Sequence, residues 1–404
     1  MKILFLSDDF PPESFGGAGI VASNLAYAMA QKGHDVIVLT TTKDPSSVGE
    51  SILNGIKIIT LHSDYHQRYR NFVSVINLSL IFKIKRIIKE IRPDIVHAHN
   101  IHSNLSMMSL MISKKYSKAV FMTAHDSNMV SVDKVYPINN RTDYKISFLK
   151  ELKIAKFRFN PFRRILIKYI LSYVDCIFSV SESLRLNLKA NGIKKIITVH
   201  NGIDVDQWNP DRFDLVEDKN TILFSGRLSG GKGAMQILHA LKIVVAKIPD
   251  AELLVLGKKG EYTDKMSKFI NENNLGNNVK FTGWVVGDDV KKAYKSSSLV
   301  VLPSIYLDPF PTVNLEAQAM SKAVVGTCFG GTSEVVQDGK TGYIVNPFDL
   351  NDLSGRIIQL LLDEKLRENM GIKGREIIKK DFTQISQVDK ILNLYNNFLK
   401  NDRK

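Results

Sequence analysis

Cysteine is almost missing: the 404 residues contain two, Cys176 and Cys328, far apart in the chain. Two such residues build neither a disulfide framework nor a metal-ligand cluster, which points to a reducing compartment. No stretch reaches the ~18 apolar residues that a membrane-crossing helix needs. The opening Met1-Lys2-Ile3-Leu4-Phe5-Leu6 is too short for the core of a secretory signal and runs straight into Asp8-Asp9. It reads as a buried first strand. Low-complexity tracts and solenoid repeats are also lacking. The expectation is a cytoplasmic protein, with at most peripheral contact on the cytoplasmic face of the inner membrane. Acid is short in one half only: residues 1–200 carry 28 Lys/Arg against 15 Asp/Glu, and residues 201–404 carry 27 against 26. A basic half of this kind suits a polyanionic partner, or is a composition bias with no partner.

The length favours two domains of roughly 200 residues each. In the first half, Lys2–Ser7, Asp35–Thr40, Ile56–Leu61, Asp94–His97, Ala119–Ala124 and Asp175–Val180 read as apolar strands. Amphipathic stretches separate them, as at Ile81, Ile84, Ile87, Ile88 and Ile91 before Arg92-Pro93. The second half repeats the scheme with Thr221–Ser225, Ala251–Leu256, Val279–Thr282, Leu299–Leu302 and Ala323–Gly326. Strands alternating with helices predict α/β, parallel, doubly wound sheets: two Rossmann-like domains facing across a cleft. The expected division is 1–200, a hinge at 201–218, 219–381, and a C-terminal helix over 382–404. Ile385, Val388, Ile391, Leu392, Tyr395 and Phe398 give that helix an apolar stripe with which to cross back to the first domain.

Ligands of open α/β sheets bind beyond the carboxyl ends of the strands. Directly after the first strand of the second half comes Ser225-Gly226-Arg227-Leu228-Ser229-Gly230-Gly231-Lys232-Gly233. Glycines admit an anion close to the backbone, a helix N-terminus follows, and Arg227 and Lys232 add two cations. That equipment suits a diphosphate, including one leaving in a transition state. The spacing is not that of a Walker loop. After Val301-Leu302-Pro303-Ser304, Asp308 falls in a loop and Glu316 about one turn into a helix beginning near Thr312. Both carboxylates can border one site and accept hydrogen bonds from sugar or ribose hydroxyls.

Eight segments in order make the chain resemble the retaining glycosyltransferases of family 4, which have the two-Rossmann GT-B fold. They are Phe10-Pro11-Pro12 with Gly16-Gly17-Ala18-Gly19, Pro93-Asp94-Ile95-Val96-His97-Ala98-His99-Asn100, Thr123-Ala124-His125-Asp126, and Val180-Ser181-Glu182-Ser183. Asn201-Gly202-Ile203-Asp204, Gly226-Arg227 with Lys232-Gly233, Asp308 with Glu316, and Gly330-Gly331-Thr332-Ser333-Glu334 complete the series. The resemblance covers nearly the whole chain. It implies a nucleotide-diphosphate sugar donor on the second domain, an acceptor on the first, and retention at the anomeric carbon. Arg227 and Lys232, with Gly226, would grip the diphosphate, and Glu316 the donor ribose. Asp308 and the backbone around Phe310, Pro311, Thr312 and Val313 would address the transferred sugar. Gly16 and Gly17 would close over the diphosphate, and His125 would point at the donor sugar near the reacting carbon. His99, Asn100 and Asp126 would meet the acceptor. The attack would come on the face the diphosphate leaves, with a leaving-group oxygen taking the proton; for a covalent route, Asp126 is the one candidate nucleophile.

The family commonly has Glu where this chain has Asp308, and Gly where it has Pro311, both at the place of the transferred sugar. Proline removes an N–H there. His97, His99 and His102 do not make a zinc set, and Asp204-Val205-Asp206 lies in the hinge, so no metal and no other cofactor is expected. Residues 145–168 carry Lys145, Lys150, Lys153, Lys156, Arg158, Arg163, Arg164 and Lys168 against Glu151 alone, with apolar residues interleaved. Such a surface suits an anionic membrane, where a lipid-diphosphate-linked glycan of surface-polysaccharide or lipopolysaccharide assembly would be the acceptor. No nucleic-acid recognition motif accompanies it. The alternatives are a glucan synthase, phosphorylase or epimerase of the same fold, and a degenerate protein that binds nucleotide sugar without turnover.

Overall fold

A computed structural model describes residues 1–12, 16–137, 144–147, 149, 151–152, 160–258 and 260–401, the side chain of Asn401 excepted. The chain forms two compact units. The first holds Met1–Lys134, residues from Tyr144 to Asn201, and the C-terminal segment from Gln384. The second holds Gly202–Thr383 with a short segment beginning at Val135, whose carbonyl accepts from the Leu307 N–H at 2.8 Å. Residues 201–218, read as a hinge, lie with the second unit from Gly202 onward.

The first sheet contains β1 (Lys2–Ser7), β2 (Asp35–Thr42), β3 (Gly49–Leu53), β4 (Ile56–His62), β5 (Ile95–His99), β6 (Ala119–Ala124), β7 (Cys176–Ser179) and β8 (Ile196–Thr198). Their order is β3-β4-β2-β1-β5-β6-β7-β8. The near-continuous apolar runs follow from burial on both faces. One strand departs from the all-parallel expectation: β3 pairs antiparallel with β4 at the edge. Its sequence Gly-Glu-Ser-Ile-Leu is mostly exposed and carries no buried run to announce it.

The second sheet contains β9 (Thr221–Ser225), β10 (Glu252–Leu256), β11 (Val279–Gly283), β12 (Leu299–Leu302), β13 (Ala323–Thr327) and β14 (Gly342–Val345), in the order β11-β10-β9-β12-β13-β14, all parallel. Both sheets reverse their winding beside their first strand: between β1 and β5, and between β9 and β12. Crevices at such reversals, at the strands' carboxyl ends, are where α/β sheets take ligands.

The terminal helix, Gln384–Asn401, packs in the first unit. Val388, Ile391, Leu392 and Tyr395 join the core of Ile3, Phe5, Phe121 and Phe178, and Phe398 lies against it. Each such side chain contributes about 1.5–3 kcal/mol by leaving water. Ile385, counted in the apolar stripe, is instead 65% exposed. It lies one residue past the helix start, before the face turns inward.

Candidate functional site

The glycine segment leaves β9 at Ser225, passes a 3-10 turn at Gly230–Lys232 and enters the helix Ala234–Lys247. Gly233 has φ +81°, and a Cβ there would fall 1.9 Å from the Pro303 carbonyl oxygen. Only glycine lets this turn press against the loop after β12, where the Ile305 N–H donates to the Gly231 carbonyl at 2.9 Å. The two loops are thereby locked together, and Lys232 meets Asp308: Nζ to Oδ2 is 2.6 Å. Ser304 Oγ donates to the same oxygen at 3.0 Å. Asp308 is buried, and Gly330 (φ +80°) packs so tightly on its backbone that a Cβ would come 2.0 Å from its carbonyl oxygen. Arg227 points outward and is exposed.

Glu316 lies on the helix Thr312–Ala319, which follows Phe310-Pro311. Tyr294, from the helix Asp288–Ser296, donates its hydroxyl to Glu316 Oε2 at 2.7 Å, and Thr312 also bonds the carboxylate. Burial raises the Glu316 pKa above the usual carboxylate range, and pushes the Tyr294 hydroxyl well above 10. Phe310 and Val313 are buried, Val313 in the hydrophobic core, so the Val313 side chain is not available to a ligand. The Thr312 and Val313 N–H groups belong to the helix's first turn, where intrahelical acceptors run out.

In the first unit, register does the placing. Ser7 pairs with His99, and His99 with Thr123, so β1, β5 and β6 end side by side. His97 Nε2 bonds Thr123 Oγ1 at 2.7 Å and its Nδ1 bonds the Tyr395 hydroxyl at 2.6 Å. His99 Nδ1 bonds His125 Nε2 at 2.9 Å. Burial lowers these imidazoles: His97 to about 3, His125 to about 4, and His99 well below its ordinary value. Asp8, just past β1, is buried and accepts N–H bonds from Ser103 and Leu105 at 2.6 and 2.7 Å. Desolvation nevertheless raises its carboxyl to about 7. Gly16 caps the helix Gly17–Gln31 through its carbonyl, which accepts from the Ile20 N–H at 3.0 Å, and a Cβ on Gly17 would meet nothing within 4 Å.

Asn100, His102, Asp126, Asn128 and Arg163 line a small recess. Asp126 Oδ2 lies 3.5 Å from His102 Nε2, and its Oδ1 accepts the Asn128 N–H at 2.8 Å. Arg163, read as part of a basic surface, is 1% exposed: in the helix Arg163–Leu171 it faces inward with Ile167, Ile170 and Leu171. Its Nη2 donates to the Asn128 carbonyl and Oδ1, both at 2.5 Å, and Nε to Ser74 at 3.3 Å. Nη1 is buried with no hydrogen-bond partner among the described residues. Desolvation lowers its pKa to about 10. Lys150, Lys153, Lys156 and Arg158 lie outside the described residues or have no described side chain.

Among the described residues no group of three or more His, Cys, Asp and Glu is arranged to hold a metal ion. Asp204 Oδ1 accepts the N–H groups of Asp206 and Gln207, each at 3.0 Å, and so closes a local turn. The structure thus brings Lys232 to Asp308, His99 to His125, and Asn100 to Asp126. Sequence reasoning missed Tyr294, Ser304, Asp8 and the inward face of Arg163. Of these, only Asp8 had a visible signal, a carboxylate directly after a strand.

Two family models match consecutive parts of the chain: "Glycosyltransferase Family 4" over residues 15–207 and "Glycosyl transferases group 1" over residues 207–377. An uncharacterized glycosyltransferase of Methanocaldococcus jannaschii is 23% identical, over 98% of each chain. The N-acetyl-alpha-D-glucosaminyl L-malate synthase of Bacillus anthracis is 25% identical, over 96% of each. Among solved structures, sucrose-phosphate synthase from Thermosynechococcus elongatus superposes with a TM-score of 0.79 at 22% identity, covering 99% of this chain and 100% of that one. HepE of Anabaena with UDP-glucose bound gives 0.73 at 17%, covering 98% and 100%. The chain belongs to the family 4 glycosyltransferases and has the GT-B fold.

Proposed function

We propose that this enzyme moves a sugar from a UDP-sugar to a glycan acceptor with retention at the anomeric carbon, and that it does so without a metal. The observation that carries this reading is the cluster at the β9–β12 reversal: Lys232 against Asp308, with Glu316 held by Tyr294 on the following helix. Lys232 and Arg227 would neutralise the diphosphate, Glu316 would take ribose hydroxyls, and Asp308 would take the sugar with the Thr312 and Val313 N–H groups. In the step itself, the bond from the anomeric carbon to the phosphate oxygen breaks. The acceptor oxygen bonds to the same face, and its proton passes to the departing phosphate. Binding of UDP-glucose by the related HepE supports uracil as the base.

On the first unit, Asn100 and Asp126 line one recess and would meet the acceptor, whereas His99, expected to share that role, is fully buried and out of an acceptor's reach. The Nη1 of Arg163, unpaired among the described residues, favours an acceptor carrying an anionic group. A lipid-diphosphate-linked glycan of surface-polysaccharide assembly meets that requirement. The exposed Phe162, Ile165, Leu166 and Tyr169, beside Lys168, would touch the anionic membrane that holds it.

The test is thermal stability of the wild type and Lys232→Ala against UDP, GDP, ADP and dTDP. A ligand specific to the folded state adds about 2.7 kcal/mol at a hundredfold excess over its Kd. UDP should raise the melting temperature of the wild type and much less that of the variant. Stabilisation by another base corrects the donor; equal shifts in both proteins remove Lys232 from the site.

A further inference from the structure

The two histidines at the carboxyl ends of β5 and β6 share one hydrogen bond, and its direction has a chemical consequence. His99 has no solvent exposure. Its ring is fixed by Phe5, stacked at 5.5 Å and 20°, and by His97, whose centroid is 4.2 Å away. Its Nδ1 lies 2.9 Å from His125 Nε2. With both imidazoles neutral, one proton lies between them and each ring carries one more nitrogen. For His99 that nitrogen, Nε2, is buried with no partner among the described residues.

Two arrangements satisfy the contact. If His125 donated, the His99 proton would sit on Nε2 as a buried N–H without an acceptor. If His99 donates, its Nε2 is a bare lone pair. Among backbone groups, buried N–H donors without acceptors are rarer than under-satisfied acceptors, and the same ordering applied to the imidazole favours the second arrangement. The tautomer of an imidazole is set by the bond its other nitrogen makes. A His125 that accepts at Nε2 therefore carries its proton on Nδ1, for which the described residues provide no hydrogen-bond partner.

We propose that His99 is a positioning residue for the transfer: by donating Nδ1–H to His125 Nε2, it holds His125 as the neutral Nδ1–H tautomer. His125 then offers an uncharged donor to an oxygen of the transferred sugar. The role of His125 toward that sugar rests on the function proposed above; the tautomer does not. An uncharged donor holds a sugar oxygen without adding charge beside it. It also stays the same across the neutral range, because burial keeps the ring from protonating until about pH 4.

Nitrogen-15 spectra of the histidine-labelled full chain test the tautomer directly. The protein has nine histidines, and His125→Asn assigns the signal. The expected pattern is a protonated Nδ1 and a bare Nε2 at His125, with both signals moving toward a tautomer mixture in His99→Leu. His99→Asn, whose amide N–H falls near the Nδ1 position, should keep the wild-type pattern and covers the case in which His99→Leu does not fold. In transfer assays His99→Leu should lose roughly 10- to 100-fold in kcat, His99→Asn much less, and His125→Asn should outperform His125→Gln. UDP stabilisation should be unchanged in all of them. A protonated Nε2 at His125 in the wild type overturns the proposal whatever the enzyme's substrate. The expected spectra with undiminished kcat in His99→Leu and His125→Gln overturn it by removing His125 from the sugar, while UDP stabilisation reports separately on the donor site.

Discussion

Glu316 owes its setting to a residue 22 positions earlier. Tyr294 is fully buried, its ring lies edge-on to Trp208 at 5.5 Å, and its hydroxyl is directed at the carboxylate. Burial and the neighbouring Glu316 both hold the phenol protonated, so it acts purely as a donor. Tyr294→Phe keeps the packing and removes that bond, worth about 1 kcal/mol. If Glu316 binds the ribose, the variant's donor KM should rise roughly fivefold, with kcat less affected, in steady-state assays. An unchanged donor KM would separate Glu316 from the donor. Lys232, Asp308 and Glu316 were legible because each sits in a short motif after an apolar strand. Tyr294 was not, since a tyrosine on an amphipathic helix reads as core, and only the folded sheet brings it to Glu316.

Elements followed the same division. Strands buried on both faces announce themselves by composition, whereas the exposed β3 and the three-residue, half-buried β8 do not, and β14, though buried, is only four residues long. The terminal helix was visible in its stripe, but not its polar contact: Tyr395 reaches across 298 positions to His97. Tyr395→Phe leaves a buried imidazole nitrogen unpaired, at about 1–3 kcal/mol. The urea midpoint at pH 7.5 should fall accordingly, and an unaltered midpoint would mean that the bond contributes nothing. The folded His97 pKa of about 3 lies below its ordinary 6.5. Below pH 6.5 the unfolded chain therefore takes a proton that the folded chain refuses. Its stabilising contribution is complete above pH 6.5 and is lost toward pH 3, by roughly 1.4 kcal/mol per pH unit. The urea midpoint should follow that fall in acid.

Across the whole molecule, charge is the property most easily read and least easily interpreted. The excess of base in residues 1–200 is plain in the sequence, yet Arg163 within it is a core residue, and composition has no means of telling an inward from an outward arginine. What the fold adds is the apolar company of the outward ones. The helices Ile81–Ile91, Met108–Tyr116 and Arg163–Leu171 pack in a row. The first exposes Phe82 with Lys83, Lys85 and Lys89, and the third exposes Ile165 and Tyr169 with Lys168. No helix among the described residues is long and apolar enough to cross a membrane. Exposed apolar side chains among cations suit the headgroup boundary instead, where lipid charge and apolar burial act together. Full-length protein should float with vesicles containing anionic lipid, less with neutral vesicles, and less as salt is raised. Ile165→Ser with Tyr169→Ser should cut that binding at least tenfold, since burying each side chain is worth about 1.5–3 kcal/mol. Both positions are exposed, so the melting temperature should hold. Equal flotation of wild type and variant, or equal binding to neutral vesicles, would return this face to being a basic surface in water. The acceptor would then have to reach the enzyme free of its membrane.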